Sequence, residues 1–130
     1  MNIKKSIVGS MFSMLLVSEM AAADWGDVYY CQMTNFIGIT LDGEKVNLMS
    51  EKFKFKLDQT KNAMVFVDKD VITGHFGNRV LELDIDRSRP SQDSWYVNDE
   101  YFMIHFTEGK FVSAWAGSGI WTLSADCDKF

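Results

Sequence analysis

The residues best suited to chemistry in this chain are two cysteines, Cys31 and Cys127, and two histidines, His75 and His105. The cysteines lie 96 positions apart, and the chain has no C-x-x-C motif of the kind that forms redox pairs. A zinc site would require both histidines to join both cysteines. In an oxidising compartment, an even pair of cysteines instead predicts one intramolecular disulfide.

The other candidates for chemistry are weaker. His105 could serve as a general base or contact a ligand, but no sequence neighbour pairs with it, which favours an ordinary side chain. Glu82, Asp84 and Asp86 alternate on one strand face, and carboxylates in one flat row do not surround a cation. The turn Gly117–Gly119 lacks the G-x-S-x-G spacing of a hydrolase nucleophile. We therefore name no catalytic residue, no metal site and no cofactor.

The N-terminal sequence predicts a secretory signal peptide over residues 1–23. Lys4 and Lys5 precede an apolar run over 7–17, and a small-residue cleavage site ends at Ala23. The apolar run is too short to span a bilayer as a helix. Cleavage would leave a single domain of 107 residues over 24–130, exported to the periplasm or the extracellular space.

Charge narrows the range of partners. Removing the signal residues Lys4, Lys5 and Glu19 changes the formal net charge from −5 to −6. An acidic domain is a poor match for nucleic acid, whose binding relies on lysine and arginine, and for an anionic membrane surface. The residues in phase with the terminal Phe130 are polar, so the last strand lacks a lipid-facing stripe and we expect no membrane-spanning structure after cleavage.

Strand patterns dominate the mature chain. Four runs alternate apolar with polar side chains, the period of a half-buried strand: FKFKL, RVLELDID, EYFMIHFT and IWTLSADC. Their predicted inward residues are Phe53, Phe55, Leu57; Leu81, Leu83, Ile85; Phe102, Ile104, Phe106; and Trp121, Leu123, Ala125, Cys127. The third run differs because Tyr101, Met103 and His105 make its second face largely apolar as well.

Turn signals between these runs predict consecutive antiparallel hairpins. The predicted strands are 28–41, 45–49, 52–58, 63–68, 70–76, 79–86, 95–98, 100–107, 110–116 and 120–127. A longer irregular loop over 87–94 holds the single proline, Pro90. About 8–10 short strands in one small all-β domain predict either an antiparallel barrel or a compact sandwich in meander order.

The cysteines acquire a structural meaning in this arrangement. Each lies on the more apolar face of its strand: Cys31 in phase with Met33, Ile37, Ile39 and Leu41, and Cys127 in phase with Trp121, Leu123 and Ala125. A bond between them would join the first strand to the last, which is the pairing that closes a barrel. The chain-entropy model gives an upper figure of about 4.7 kcal/mol for a loop of roughly 100 residues.

Three short motifs look like those of exported hypothetical proteins of marine bacteria. They are Y-Y-C-x-M-T-x-F over Tyr29–Phe36, F-K-F-K over Phe53–Lys56, and C-D-K-F over Cys127–Phe130. The resemblance covers both ends of the mature chain and one strand. It implies no assigned activity and supports a disulfide between the chain ends.

Aromatic side chains offer the remaining indication of function. The mature chain contains 17 of them, and those not needed for the core could line a ligand cavity, as in other small barrels. Tyr101, Met103 and His105 are the predicted ligand-binding residues. The leading hypothesis is a non-enzymatic β-barrel module that binds a small apolar or amphipathic ligand. The alternative is an interaction protein, an inhibitor or envelope-associated partner, and a small hydrolase ranks third.

Two observations separate these hypotheses. An internal cavity lined by aromatic rings would favour the ligand-binding module. A filled core with an exposed apolar patch would favour a protein that acts through its outer surface.

Overall fold

A computed structural model of the chain describes residues 23–66 and 76–130. Most of the predicted signal peptide therefore lies outside the described residues, although Ala23 is described and is buried. His75, most of the predicted strand over 70–76 and the end of the one over 63–68 also lie outside them.

The described chain folds into one antiparallel sheet that curls into a nearly closed barrel, as the strand pattern predicts. Its strands are β1 Val28–Thr40, β2 Lys45–Asn47, β3 Lys52–Asp58, β4 Ala63–Phe66, β5 Val80–Glu82, β6 Ser94–Asn98, β7 Phe102–Thr107, β8 Lys110–Ala116 and β9 Gly119–Lys129. The spatial order is β5-β4-β3-β1-β9-β8-β7-β6, with β2 paired to β1. In the predicted irregular loop, Pro90–Gln92 forms one 3-10 turn.

Two seams close the barrel, and they differ in extent. The first joins β1 to β9 along their length, from the pair Tyr29–Lys129 to the pair Thr40–Gly119. The second joins the end of β5 to β6 through an isolated bridge between Leu83 and Val97. Asp84 N donates a hydrogen bond to Tyr96 O at 2.8 Å beside that bridge. The meander is therefore closed by its first and last strands, with a narrower contact on the opposite side.

Side-chain alternation sets which face of each strand is buried. Phe53, Phe55 and Leu57 of β3 point into the barrel, and the intervening lysines face outward. Phe102, Ile104 and Phe106 of β7 do the same, as do Leu123, Ala125 and Cys127 of β9. Burial of large aromatic and aliphatic side chains is the main stabilising contribution to such a small domain.

The predicted phase of β1 is wrong beyond Met33. Met33 pairs with Ala125 and Asn35 pairs with Ser124, so Thr34 is an extra residue, a β-bulge, that reverses the alternation. The Thr34 and Ser124 hydroxyl oxygens are 2.7 Å apart at this point. Ile37, Ile39 and Leu41, predicted to share the core face with Cys31, instead lie on the other phase, with Ile39 and Leu41 exposed.

The same reversal turns Gly38 inward, beneath the indole of Trp121. A Cβ atom at position 38 would lie 2.0 Å from Trp121 Cε3. Only glycine at position 38 leaves room for that ring. The bulge and the glycine together therefore allow the Trp121 indole to pack over β1 at this end of the barrel.

The predicted strand over 79–86 ends early. The strand proper stops at Glu82, and Asp84 begins a turn in which its Oδ1 accepts hydrogen bonds from the backbone N–H groups of Asp86 and Arg87. Aspartate side chains commonly stabilise turns in this way. Ile85, predicted to face the core, is consequently 70% exposed.

Candidate functional site

The disulfide predicted from the sequence is present. Cys31 and Cys127 are direct cross-strand partners on β1 and β9, with their Cα atoms 4.0 Å apart. The Cys127 N–H donates to Gly109 O, away from Cys31, so the two residues form the closely spaced, non-hydrogen-bonded type of pair. Both side chains are buried. The bond therefore holds the longer barrel seam together from the inside.

Aromatic rings in mutual contact occupy the described interior of the barrel. Phe55 packs edge-on against Phe106 with ring centroids 5.0 Å apart, and Phe53 packs against Phe111 at 4.9 Å. Trp95 is fully buried and meets Trp25 at 5.0 Å. These rings, which the sequence analysis considered for lining a cavity, contact one another and fill the described core. The described interior therefore does not show the ring-lined cavity that would have favoured a ligand inside the barrel, and both hypotheses now depend on the outer surface.

Burial has one marked electrostatic consequence in this core. It raises the pKa of the Tyr29 phenol well above its ordinary value of 10.0, and the negative charges of Asp27, Asp93 and Asp24 add to the effect. Burial disfavours the charged phenolate, and nearby carboxylates disfavour it further. Tyr29 stacks on Phe55 at 5.5 Å and meets Phe106 at 4.8 Å, which is a packing role rather than a site for proton transfer.

An apolar groove, which we call the outer groove, crosses the outside of strands β6 to β9. It has a volume of about 370 Å³, and its lining includes outward-facing residues together with four buried ones, Val97, Ile104, Ser113 and Leu123. The outward-facing residues are Arg87, Tyr96, Met103, His105, Val112, Ala114 and Thr122. Ala114 of β8 and Thr122 of β9 are direct cross-strand partners. Because their side chains are small, they form the bottom of the groove between larger neighbouring side chains.

The predicted ligand-binding residues, Met103 and His105 of β7 and Tyr101 immediately before it, lie on the outside of the barrel rather than inside it. Met103 and His105 both line the outer groove. Tyr101 is 61% exposed and lines an adjoining depression of about 280 Å³, which has Met103 and Ala114 in common with the outer groove. Their location outside the barrel follows from β7 alternation, because Phe102, Ile104 and Phe106 take the inner face.

A stacked pair of rings forms one wall of the outer groove. Tyr96 of β6 and His105 of β7 are cross-strand partners, and their rings lie parallel, with centroids 4.1 Å apart and an interplanar angle of 4°. His105 Nε2 is 3.3 Å from Ser94 Oγ. The stack on Tyr96 and the contact with Ser94 Oγ together fix the orientation of the His105 imidazole.

The contact between Ser94 and His105 joins a hydroxyl to an imidazole, the pairing used by some hydrolases. That chemistry also requires a group that orients the imidazole from its other nitrogen, and donors for the developing oxyanion. In the described chain the His105 ring contacts Ser94 Oγ and stacks on Tyr96, and no carboxylate is among its described hydrogen-bond partners. The arrangement positions an imidazole ring against the groove.

One cation borders the outer groove. Arg87 follows the Asp84 turn, and the adjacent Ser88 ties this loop to β6, because Tyr96 N donates to Ser88 Oγ at 2.9 Å. Arg89 N donates to Ser94 O at 2.6 Å, which fixes the other end of the loop. Within the described chain the Arg87 guanidinium forms no ion pair.

Asp84 and Asp86 lie in the turn beside Arg87, although neither lines the outer groove, and other charged residues follow other strands. Lys52, Lys54 and Lys56 follow the outside of β3, and Lys54 Nζ lies 5.8 Å from the centroid of the Tyr30 ring. Lys110 and Asp126 form an exposed ion pair at 2.6 Å. Within residues 23–66 and 76–130, no cluster of three or more His, Cys, Asp or Glu side chains could hold a metal ion.

Sequence reasoning did not identify Arg87, Tyr96, Ala114 or Thr122 as members of a site. Arg87 belongs to a loop whose position depends on bonds to β6, and the others depend on strand register. The signal that was available, an apolar second face on one strand, identified only Met103 and His105.

Comparison with protein-family models and with curated proteins finds no match to this chain. In the part of the chain that the structure describes, no helix has the length and apolar character that crossing a membrane requires.

Proposed function

We propose that this protein is a non-enzymatic binding module that takes a small apolar or amphipathic ligand on the outside of its barrel, in the outer groove. The observation that carries the proposal is the contrast between the two faces of β7 and β8. Their inner faces are packed ring against ring, whereas their outer faces combine apolar side chains with open space of about 370 Å³. A volume of that size lies within the range of small-molecule sites.

The composition of the outer groove supports the same function. Its outward-facing side chains include Met103, Val112 and the stacked rings of Tyr96 and His105, and they include no carboxylate. Met103 and Val112 are 55% and 48% exposed. Covering such side chains with a ligand removes apolar surface from water, which is the principal driving force for apolar binding.

Octanol is a suitable neutral probe, and substitution of the groove floor tests the location. The variant Ala114→Gln places a longer side chain in the groove, and Ala116→Gln makes the same change two residues along the same outer face of β8. We expect calorimetry to show octanol affinity at least about tenfold weaker for Ala114→Gln, which corresponds to about 1.4 kcal/mol, and unchanged for Ala116→Gln. Octanol affinity unaffected by Ala114→Gln would refute the proposed location.

A second candidate function is an interaction protein that acts through the same side of the barrel. The observation that favours it is an apolar surface extending past the outer groove, where Ile39 of β1 and Ile120 of β9 are direct partners and each is 53% exposed. Contiguous apolar surface of this kind commonly marks a protein interface. A photo-crosslinking residue at position 120 should then capture one envelope protein in the native host, and the same residue at position 54 should not.

Export to the periplasm or the extracellular space is part of the same proposal. The buried disulfide between Cys31 and Cys127 supports it, because structural disulfides persist in oxidising compartments. Intact-mass measurement of the protein from its own host should give a chain that begins at Asp24, with both cysteines oxidised. A chain that retains residues 1–23 would contradict export by signal cleavage.

A further inference from the structure

We infer that the ligand of the outer groove is an amphipathic carboxylate, whose head group binds Arg87 and whose hydrocarbon chain lies across β7 and β8 towards Thr122. This inference rests on the proposed function, because it names the chemical class that the same groove selects. It adds a polar end and a direction to a site otherwise defined by its apolar surface.

The direction follows from where the groove's side chains lie. Arg87 lies at the β6 end, since the neighbouring Ser88 bonds to Tyr96, and Thr122 lies on β9. Three strand spacings separate β6 from β9, a width of about 14 Å. Met103, Val112 and Ala114 lie between these ends. A ligand that fits this arrangement is elongated, apolar along most of its length and polar at one end.

The sign of the polar end follows from charge. Arg87 is the one charged residue among those lining the groove, and the lining contains no carboxylate. The guanidinium has a planar set of donors that matches a carboxylate, and it has no ion-pair partner within the described chain. The uncharged polar groups of the lining, such as Thr122 and the Tyr96 phenol, carry no comparable preference for an anion.

The net negative charge of the protein opposes the binding of any anion. A domain with a formal charge of −6 after signal cleavage repels anions at long range. Any preference for a carboxylate over a neutral ligand of the same length must therefore arise from a local contact. Lys110 is the control for the contact with Arg87. It is an outward-facing cation on β8 that lies outside the groove lining and pairs with Asp126.

The loop geometry fixes the main chain at Arg87 before any ligand arrives. Asp84 Oδ1 accepts from Arg87 N at 3.2 Å, Asp84 N donates to Tyr96 O, and Arg89 N donates to Ser94 O. Bonds on both sides of Arg87 thus fix its backbone against β6. A cation on a fixed main chain loses less backbone freedom on binding than one carried by a flexible loop.

Comparing octanoate with octanol tests the inference, by calorimetry on the mature wild-type protein and on Arg87→Gln and Lys110→Gln. We expect wild type to bind octanoate at least about tenfold more tightly than octanol, the ratio expected for one charge-assisted contact. Arg87→Gln should abolish that preference, so that this variant binds octanoate and octanol with equal affinity, whereas Lys110→Gln should retain the preference of wild type.

The outcomes separate the two proposals. Equal affinity of wild type for octanoate and octanol would overturn the carboxylate assignment and leave the proposed function standing. An equal loss of octanoate affinity in Arg87→Gln and Lys110→Gln would also overturn it, because the preference would then reflect overall charge. No binding of either ligand by the folded wild-type protein would overturn the proposed function itself.

Discussion

Strands β7 and β8 carry large apolar side chains on both faces, yet their two faces have different environments. On the inside, Phe106 and Phe111 are direct partners and both are completely buried. On the outside, the next pair along, His105 and Val112, borders a groove, and Val112 is 48% exposed. Apolar composition alone therefore does not distinguish core from binding surface. The difference lies in whether neighbouring elements already cover the side chains.

The comparison predicts that substitutions on the inside change stability and those on the outside change binding. The largest effect on stability is expected at the seam between β1 and β9. The double variant Cys31→Ala/Cys127→Ala should lower the free energy of unfolding by up to about 4.7 kcal/mol, because the bond closes a loop of roughly 100 residues. Chemical denaturation of the mature protein measures this.

Octanol affinity provides the control for that variant at a temperature where it remains folded. The disulfide lies inside the barrel and away from the groove lining, so the affinity should match that of wild type. An unfolding free energy within about 1 kcal/mol of wild type would show that the disulfide does not stabilise the seam as described.

Adjacent residues on β8 separate the two faces most directly. Phe111→Ala should cost about 3–5 kcal/mol of stability, the usual cost of a buried phenylalanine truncation. Val112→Thr keeps the β-branched shape on the outer face and should change stability by no more than about 0.5 kcal/mol. It should weaken octanol binding severalfold, since one methyl contact becomes a hydroxyl. Thermal unfolding measures the stability of both variants, and calorimetry measures their octanol affinity. A large loss of stability in Val112→Thr with little loss in Phe111→Ala would contradict the division between core and binding surface.

Alkaline pH is expected to have a smaller effect on the free energy of unfolding. An unfolded tyrosine titrates near pH 10, and the Tyr29 phenol in the barrel has a higher pKa because it is buried. Above pH 10 the unfolded chain therefore binds fewer protons than the folded one, and stability falls as pH rises. Denaturation at a series of alkaline pH values should show a shallower fall for Tyr29→Phe.

Tyr101→Phe is the matched control, because that side chain is 61% exposed on the outer face. It should leave the alkaline loss of stability as in wild type. Equal slopes for wild type and Tyr29→Phe would contradict the role of the buried phenol.

Much of the fold could be predicted because its strands obey local alternation. The pattern of β3 and the inward face of β9 follow directly from sequence period. The disulfide was predicted from the even pair of cysteines in a chain expected to be exported, with the apolar face of each cysteine's strand as support. The bulge at Thr34 could not be predicted, since it depends on Ser124, a partner 90 positions away. The early end of β5 depends on the Asp84 side chain capturing two backbone N–H groups, which a strand pattern does not reveal.

The site was predictable only in part, for a related reason. Met103 and His105 could be identified because their strand has no polar face. Arg87, Ala114 and Thr122 join them only through sheet register and loop position, which are long-range properties. The role of Tyr101 in ligand binding stays a prediction, and the structure places it next to the outer groove rather than within its lining.

Methionine methyl groups test the central claim, binding outside rather than inside the barrel, most directly. Residues 24–130 contain four methionines: Met33 and Met64 in the core, Met103 in the outer groove, and Met49, which is 81% exposed and outside the groove lining. NMR spectra of methyl-labelled protein, recorded as octanoate is added, should show a saturable shift of the Met103 signal, with the other three unchanged. Shifts of Met33 or Met64 with Met103 unaffected would place the ligand inside the barrel and contradict the account.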